Sequence, residues 1–373
     1  MADTLTSTQK VRHAMWIELF FDLVYVVALA KLTHIIVVGH DGHIGSHEYI
    51  LYFTLFVPVW WSWIGHTMFA NRFGKYDATD RVLTLLQMFF CIFLSLGISG
   101  LEKSPVMFAM AYAGTRFSLV LMYVRVHVTR PEARPATRRF ITGFSIGALL
   151  WLFSLLLPEP YMYMVWVIGL IIELMTPISM RERLKKVPLN NHHLPERFGL
   201  FALLVMGESI HSMVTGIYHK ELTTPLVLTL ILAFVATCTV WWLYFATLDN
   251  VFKGKLEGAA QLCVYGHLPI YMGIGLFAAG IQRLVAGGYS VAELNLIFCF
   301  SLLLILIPLQ MIHFQFIQHV TRGSFLKRGI IFVASLTILN GLGQLSNSVY
   351  FVFFMIFLLV AYIYSERKYV VSH

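Results

Sequence analysis

Charge is scarce in this chain. Asp, Glu, Lys and Arg together supply only 12% of its 373 residues, against 58% hydrophobic side chains. A soluble domain carries roughly 25% charged residues, so this composition, with a mean hydropathy of +0.75, excludes an ordinary soluble globule and points to an integral membrane protein. Cysteine is also rare: Cys91, Cys238, Cys263 and Cys299 all lie in hydrophobic stretches, with no Cys-x-x-Cys among them. That spacing supplies neither a zinc cluster nor an extracellular disulfide framework, and the four read as small core residues. The chain has no Gly-rich phosphate loop, no Gly-x-Ser-x-Gly elbow and no haem attachment motif. No catalytic residue is therefore assigned, and cofactor and metal stay unknown.

What the sequence has in abundance is long apolar runs. Each crossing of a bilayer needs about 20 such residues. Runs near 14–38, 49–70, 79–99, 105–126, 140–158, 161–180, 197–217, 223–247, 258–282, 291–313, 326–344 and 347–365 predict an all-α polytopic protein of about twelve transmembrane helices. The first twelve residues are polar and lead into a span that carries acidic groups and no small-residue cleavage site, which predicts no removable leader.

The net charge of +8 is a matter of topology. Lys103, Lys220 and Arg283 fall on one side, Lys31 and Arg116 lie inside spans, and the remaining Lys and Arg, Arg197 among them, sit in the loops of the other side. The positive-inside rule makes the rich side cytoplasmic and puts both termini there. The expected partner is thus the lipid bilayer, with a small ion or proton and no nucleic acid; the oligomeric state is not legible.

The two halves echo each other. Trp60-Trp61 returns as Trp241-Trp242, Asn71-Arg72-Phe73 resembles Asn250-Val251-Phe252, and Gly100 matches Gly280. His127-Val128-Thr129-Arg130 recurs as His319-Val320-Thr321-Arg322, and Arg181-Glu182-Arg183 is echoed by Ser365-Glu366-Arg367. Echoes in constant order predict a tandem duplication, with residues 1–183 and 184–373 as two six-helix repeats. An even number of spans per copy makes the repeats parallel and puts equivalent residues at equal depth.

Ionisable groups inside the spans are the candidate functional residues. A charge at membrane depth costs about 2.5–3.5 kcal/mol even on insertion scales, so each needs a partner, water or a function. Glu18 and Asp22 share a face of the first span, being four residues apart, and His66 and His267 are expected at similar depth. Pro269 is expected to break or kink the ninth span near His267. Repeat alignment sets Lys31 and His34 against Glu208 and His211, which predicts a Lys31–Glu208 pair flanked by the two His. Arg116 and Glu173 read as a structural ion pair within the first repeat. The His-rich loop 39–48 reads as a solvated loop, with metal capture as the other possibility.

The segment Trp16-Ile17-Glu18-Leu19-Phe20-Phe21-Asp22-Leu23-Val24 resembles the opening of the bacterial low temperature requirement A (LtrA) family. The resemblance continues through Pro195-Glu196-Arg197-Phe198, Gly207-Glu208-Ser209-Ile210, Trp241-Trp242-Leu243-Tyr244-Phe245 and Tyr265-Gly266-His267-Leu268-Pro269, covering most of the chain. It implies a multi-pass protein of the bacterial cytoplasmic (inner) membrane; the family name records a growth phenotype. The ionisable groups then suggest a proton- or cation-linked transporter or cation conduit with a path along spans one and seven. The alternative is a membrane-embedded metal-binding protein or enzyme that uses the same Glu/Asp/His cluster.

Overall fold

Hydrophobic runs of this length satisfy their backbone only as helices, and helices are what the chain forms. The structure, a computed structural model, describes residues 13–39, 43–101, 104–180, 184, 187, 189–218, 220–252, 260–316, 322–343 and 347–371. These contain twelve α-helices: α1 Trp16–Val38, α2 Ser46–Phe73, α3 Ala78–Gly100, α4 Val106–Thr129, α5 Arg134–Ser154, α6 Tyr161–Ile178, α7 His193–Gly216, α8 Thr224–Phe252, α9 Ala260–Ala286, α10 Val291–Phe316, α11 Arg322–Gly343 and α12 Ser348–Val371. There is no β-strand among the described residues.

Among the described residues, nine of these helices are long and apolar enough to cross a membrane, against the expectation of about twelve spans. The three that fall short are α2, α5 and α11. Helix α2 carries Trp60-Trp61-Ser62-Trp63, His66, Asn71 and Arg72, α5 opens on Arg134, Arg138 and Arg139, and the apolar part of α11 is the short stretch Gly329–Gly341. Pro269 does not end its helix: α9 runs through it from Ala260 to Ala286.

By contacts the chain divides into two units, one of Met1–Val24 and Trp61–Leu200, the other of Tyr25–Trp60 and Phe201–His373. In the first unit α3, α4, α5 and α6 pack in chain order. Glycine permits the closest approaches: Gly97 of α3 lies against the backbone of Phe108 on α4, and Gly143 and Gly147 of α5 leave room for Thr176 and Glu173 of α6. A stack of Trp151 on Trp166, with ring centroids 4.6 Å apart, fills the space between α5 and α6. In the second unit α9 packs along α10, α8 against α12, and α11 against α10 and α12. The α9–α10 turn places Gly287 and Gly288 at φ 67° and 80°, a region other residues enter at a cost. The 183/184 repeat boundary and the echoes at Arg181-Glu182-Arg183 and His319-Val320-Thr321 lie outside the described residues, as do His40, Asp41 and Gly42 of the His-rich loop.

Candidate functional site

The first turn of α1 sets the site. Glu18 reaches back to accept the Met15 N–H at 2.8 Å, a capping arrangement that fixes its carboxylate at the helix start. One turn on, Asp22 projects from the same face. Opposite them stand His193 and Arg197 of α7, also four residues apart, so that two rungs of one helix meet two rungs of another. His193 Nε2 lies 3.0 Å from Glu18 Oε2. Arg197 Nη1 is 3.1 Å from Glu18 Oε1 and its Nη2 is 2.5 Å from Asp22 Oδ1. Trp63 of α2 donates its indole N–H to Asp22 Oδ1 at 2.6 Å, and Thr67 receives Arg197 Nη2 at 3.3 Å. Glu18, Asp22, His193 and Arg197 are all buried.

Arg197 corrects the sequence reading, which placed it among the loop cations. Helix α7 begins at His193 because Asn190 accepts the backbone N–H groups of His192 and His193 at 3.1 and 3.0 Å. Asn71 of α2 clamps that cap: it accepts from Asn190 N at 3.0 Å and donates to Asn190 O at 3.1 Å. The same amide N lies 3.1 Å from His193 Nδ1. Since Asn71 donates there, Nδ1 is the acceptor and His193 carries its proton on Nε2, directed at Glu18. The network therefore holds two carboxylates against one guanidinium. Asp22 Oδ2 is buried and receives no hydrogen bond, so a proton bound on it would bring the cluster to neutrality.

Towards the loop before α3, Tyr76 donates its phenol to Glu18 Oε1 at 2.9 Å. Tyr76 has φ 58°, the one non-glycine residue with positive φ among those described, a conformation that costs of order 1–3 kcal/mol. Its backbone N–H and that of Lys75 both donate to Asp80 Oδ2, at 3.1 and 2.8 Å, and Arg125 of α4 bridges Asp80 and Asp77. Beneath Tyr76 is a small pocket, lined in part by Glu18, His66, Asp80 and Thr84. His66 stacks on Phe21 with centroids 4.0 Å apart and its Nδ1 lies 3.0 Å from Gln87 Oε1.

A second buried network joins α4 and α6. Arg116 Nε is 2.8 Å from Glu173 Oε2. Tyr112 and Trp61 donate to the same oxygen at 2.8 and 3.0 Å, Arg116 Nη1 donates to Trp61 O at 3.2 Å, and the guanidinium lies 4.4 Å from the Phe144 ring centre. Both side chains are fully buried, and Arg116 Nη2 and Glu173 Oε1 have no hydrogen-bond partner there.

The remaining expected residues belong to the second unit. Lys31 and His34 are exposed, in a stripe of α1 that also contains Leu23, Val27 and Val38. Glu208 is buried, whereas His211 is exposed. Lys31 and Glu208 do not pair, which corrects the expectation: equal register along two helices sets depth but not the face, and Lys31 points away from its own unit. His267 is buried and its Nδ1 lies 2.6 Å from Cys263 O, one turn back on α9. Arg283, read from sequence as a loop cation, is buried too. It closes the C-terminus of α1 by donating Nε to Ile36 O and Val37 O at 3.0 and 3.1 Å. Its Nη1 is 3.6 Å from Glu293, which His43 of the His-rich loop meets at 2.9 Å. Among the described residues no three His, Cys, Asp or Glu side chains are grouped to hold a metal ion.

Long apolar helices and buried Arg–carboxylate networks define a polytopic helical membrane protein. Residues 13–364 match the family of the bacterial low temperature requirement A protein (LtrA), and the chain belongs to that family. It is also 29% identical over 302 residues to the uncharacterized protein RA0937 of Rhizobium meliloti (strain 1021), an alignment covering 74% of this chain and 71% of the relative.

Proposed function

We propose that the chain is a proton- or cation-linked transporter, or a cation conduit, of the bacterial cytoplasmic membrane. The observation that carries this reading is Glu208. Glu18, Asp22 and Glu173 each face a guanidinium. Glu208 lies within the span of α7 with 6% of its surface exposed and has no hydrogen bond or ion pair among the described residues. A buried carboxylate with no countercharge persists only by binding a proton or a cation, and a carboxyl that must exchange one is what coupled transport requires. Asp22 Oδ2, the donor-free oxygen of the α1–α7 network, supports the same reading in the first unit.

The topology we propose with it has all twelve helices crossing, both termini in the cytoplasm, and residues 1–183 and 184–373 as parallel six-helix repeats. The basic loops and the ordered sequence echoes support it. Metal binding or enzymatic chemistry at Glu18 and Asp22 is the weaker reading. Both Glu18 oxygens and Asp22 Oδ1 are already engaged by Arg197, His193, Tyr76, Trp63 and Met15, which leaves few lone pairs for a metal.

The test is flux into proteoliposomes, scanning protons, monovalent cations and divalent cations with and without a pH gradient. Flux that Glu208→Gln abolishes and Glu208→Asp partly retains is the expected result. Wild-type protein that moves none of these ions would overturn the proposal.

A further inference from the structure

We propose that Tyr76 is the gate of a water-sized port that joins the buried Glu18–Arg197 network to the aqueous phase. The inference rests on the proton reading above and names the residue that controls access to its site in the first unit.

Three observations converge on it. The pocket has room for about one water molecule, and Glu18, His66, Tyr76, Asp80 and Thr84, set in a wall that is otherwise largely apolar, are the groups to which a water there would bond. A water there would touch Glu18, whose carboxylate continues through Arg197 to Asp22. It would also lie beside His66, whose Nδ1 faces the Gln87 carbonyl oxygen. That contact assigns the His66 proton to Nδ1 and leaves Nε2 as a lone-pair acceptor.

The second observation is the backbone of Tyr76 itself. A tyrosine at φ 58° gains nothing from that conformation, so surrounding contacts must impose it. They are visible: Asp80 Oδ2 accepts from the N–H groups of both Lys75 and Tyr76, and Arg125 anchors Asp80. Thirdly, in this posture the phenol donates a hydrogen bond to Glu18 Oε1. The strained turn thus sets the ring in the wall of the port, with its phenol bonded to the very carboxylate that the port reaches. A turn that relaxes when this bond breaks swings the ring aside and lets water reach Glu18. When the bond re-forms, the port closes.

The experiment reads accessibility, with the full chain in proteoliposomes. Thr84 lines the pocket and is buried; Thr84→Cys, with the exposed Cys238 changed to Ser, reports the port through its rate of reaction with a small methanethiosulfonate. Tyr76→Phe keeps the ring and removes only the hydroxyl that bonds Glu18. Tyr76→Asn suits positive φ and removes the ring. Both should raise the labelling rate roughly tenfold or more, the shift expected from losing one hydrogen bond to a charged group. Buried Cys263 of the second unit should stay unlabelled throughout. Rates unchanged in both variants would overturn the gate, as would labelling of Cys263 in step with the introduced thiol, which would show general loosening. Flux is scored separately in the same vesicles. A labelling response in protein that moves no ion keeps the gate and removes the transport reading; flux without a labelling response does the reverse.

Discussion

Arg197 Nη2 stands 2.5 Å from Asp22 Oδ1 while Nη1 of the same guanidinium stands 3.1 Å from Glu18 Oε1. One planar cation therefore spans two carboxylates a helical turn apart, a task that needs the fork of arginine and that the single ammonium of lysine cannot perform. Glu18 and Asp22 could not remain side by side on the buried face of α1 without it.

Arg197→Met should accordingly cost about 3–5 kcal/mol, the penalty for stranding buried charge, and should be seen as a loss of folded yield and a lowered Tm in detergent. Arg197→Lys should recover only part of that loss. A Tm for Arg197→Met equal to that of wild type would show that the network contributes nothing to the fold.

The Arg116–Glu173 pair gives a different pattern. Arg116→Met or Glu173→Gln alone leaves one charge unmatched in the first unit, at about 3–5 kcal/mol. The double change should be milder than the sum of the two, with Trp61 and Tyr112 still donating to the amide oxygen of the Gln. Additive losses in a double-mutant thermal-melt cycle would remove the coupling. Flux should survive in the double variant if the pair is structural.

Glu208 predicts the opposite sign. It faces no guanidinium, so Glu208→Gln removes a buried charge without stranding another and should leave Tm unchanged or raised, while abolishing flux. Glu18→Gln should lower Tm, because Arg197 then loses one of its two partners. Equal destabilisation by the two substitutions would refute the contrast between compensated and uncompensated carboxylates.

Asp77, in the turn before α3, gives a pH dependence outside the spans. The hydrogen bond from Arg125 holds its carboxyl below the usual aspartate value of 3.8. A depressed folded-state pKa contributes stability that is present above the unfolded value and is lost as pH falls through the folded one. Asn also caps helices, so Asp77→Asn isolates the charge. Its Tm deficit should be constant near neutral pH and shrink once pH drops below 3.8. A deficit that grows on acidification would reverse the assignment.

Reporter fusions at 130–138, at 183–190 and at either terminus should read cytoplasmic, with 41–48 and 218–222 outside. One basic loop found outside would break the six-plus-six scheme. The same fusions decide whether α2, α5 and α11 cross, the three helices whose composition alone does not establish it.

Much of the fold was legible because crossing a bilayer is a local property: enough consecutive apolar residues make a helix whatever surrounds them. The Glu18/Asp22 face was legible for the same reason, since helical spacing is local. Arg197 was hidden by its neighbourhood. It follows Pro195 and Glu196 near a basic stretch, and apolar counting starts the seventh span at 197, whereas the helix begins at His193 once Asn190 and Asn71 cap it. A polar cap followed by His and Arg four residues apart was the signal that could have found it. Lys31 and Glu208 show the reverse limit: their register was readable, their faces were not.

The amino-acid sequence by itself determined that this is an all-helical membrane chain of the LtrA family, where its apolar segments run, and which of them carry charge. Only the tertiary structure decided which charges meet. Arg197 lies 175 residues from Asp22 in the chain, and whether two such groups touch depends on how distant helices turn toward one another. A buried carboxylate requires a countercharge, a proton or an ion; the meeting of the N-terminal turns of α1 and α7 supplies the first for Glu18 and Asp22, and Glu208 has no ion pair among the described residues.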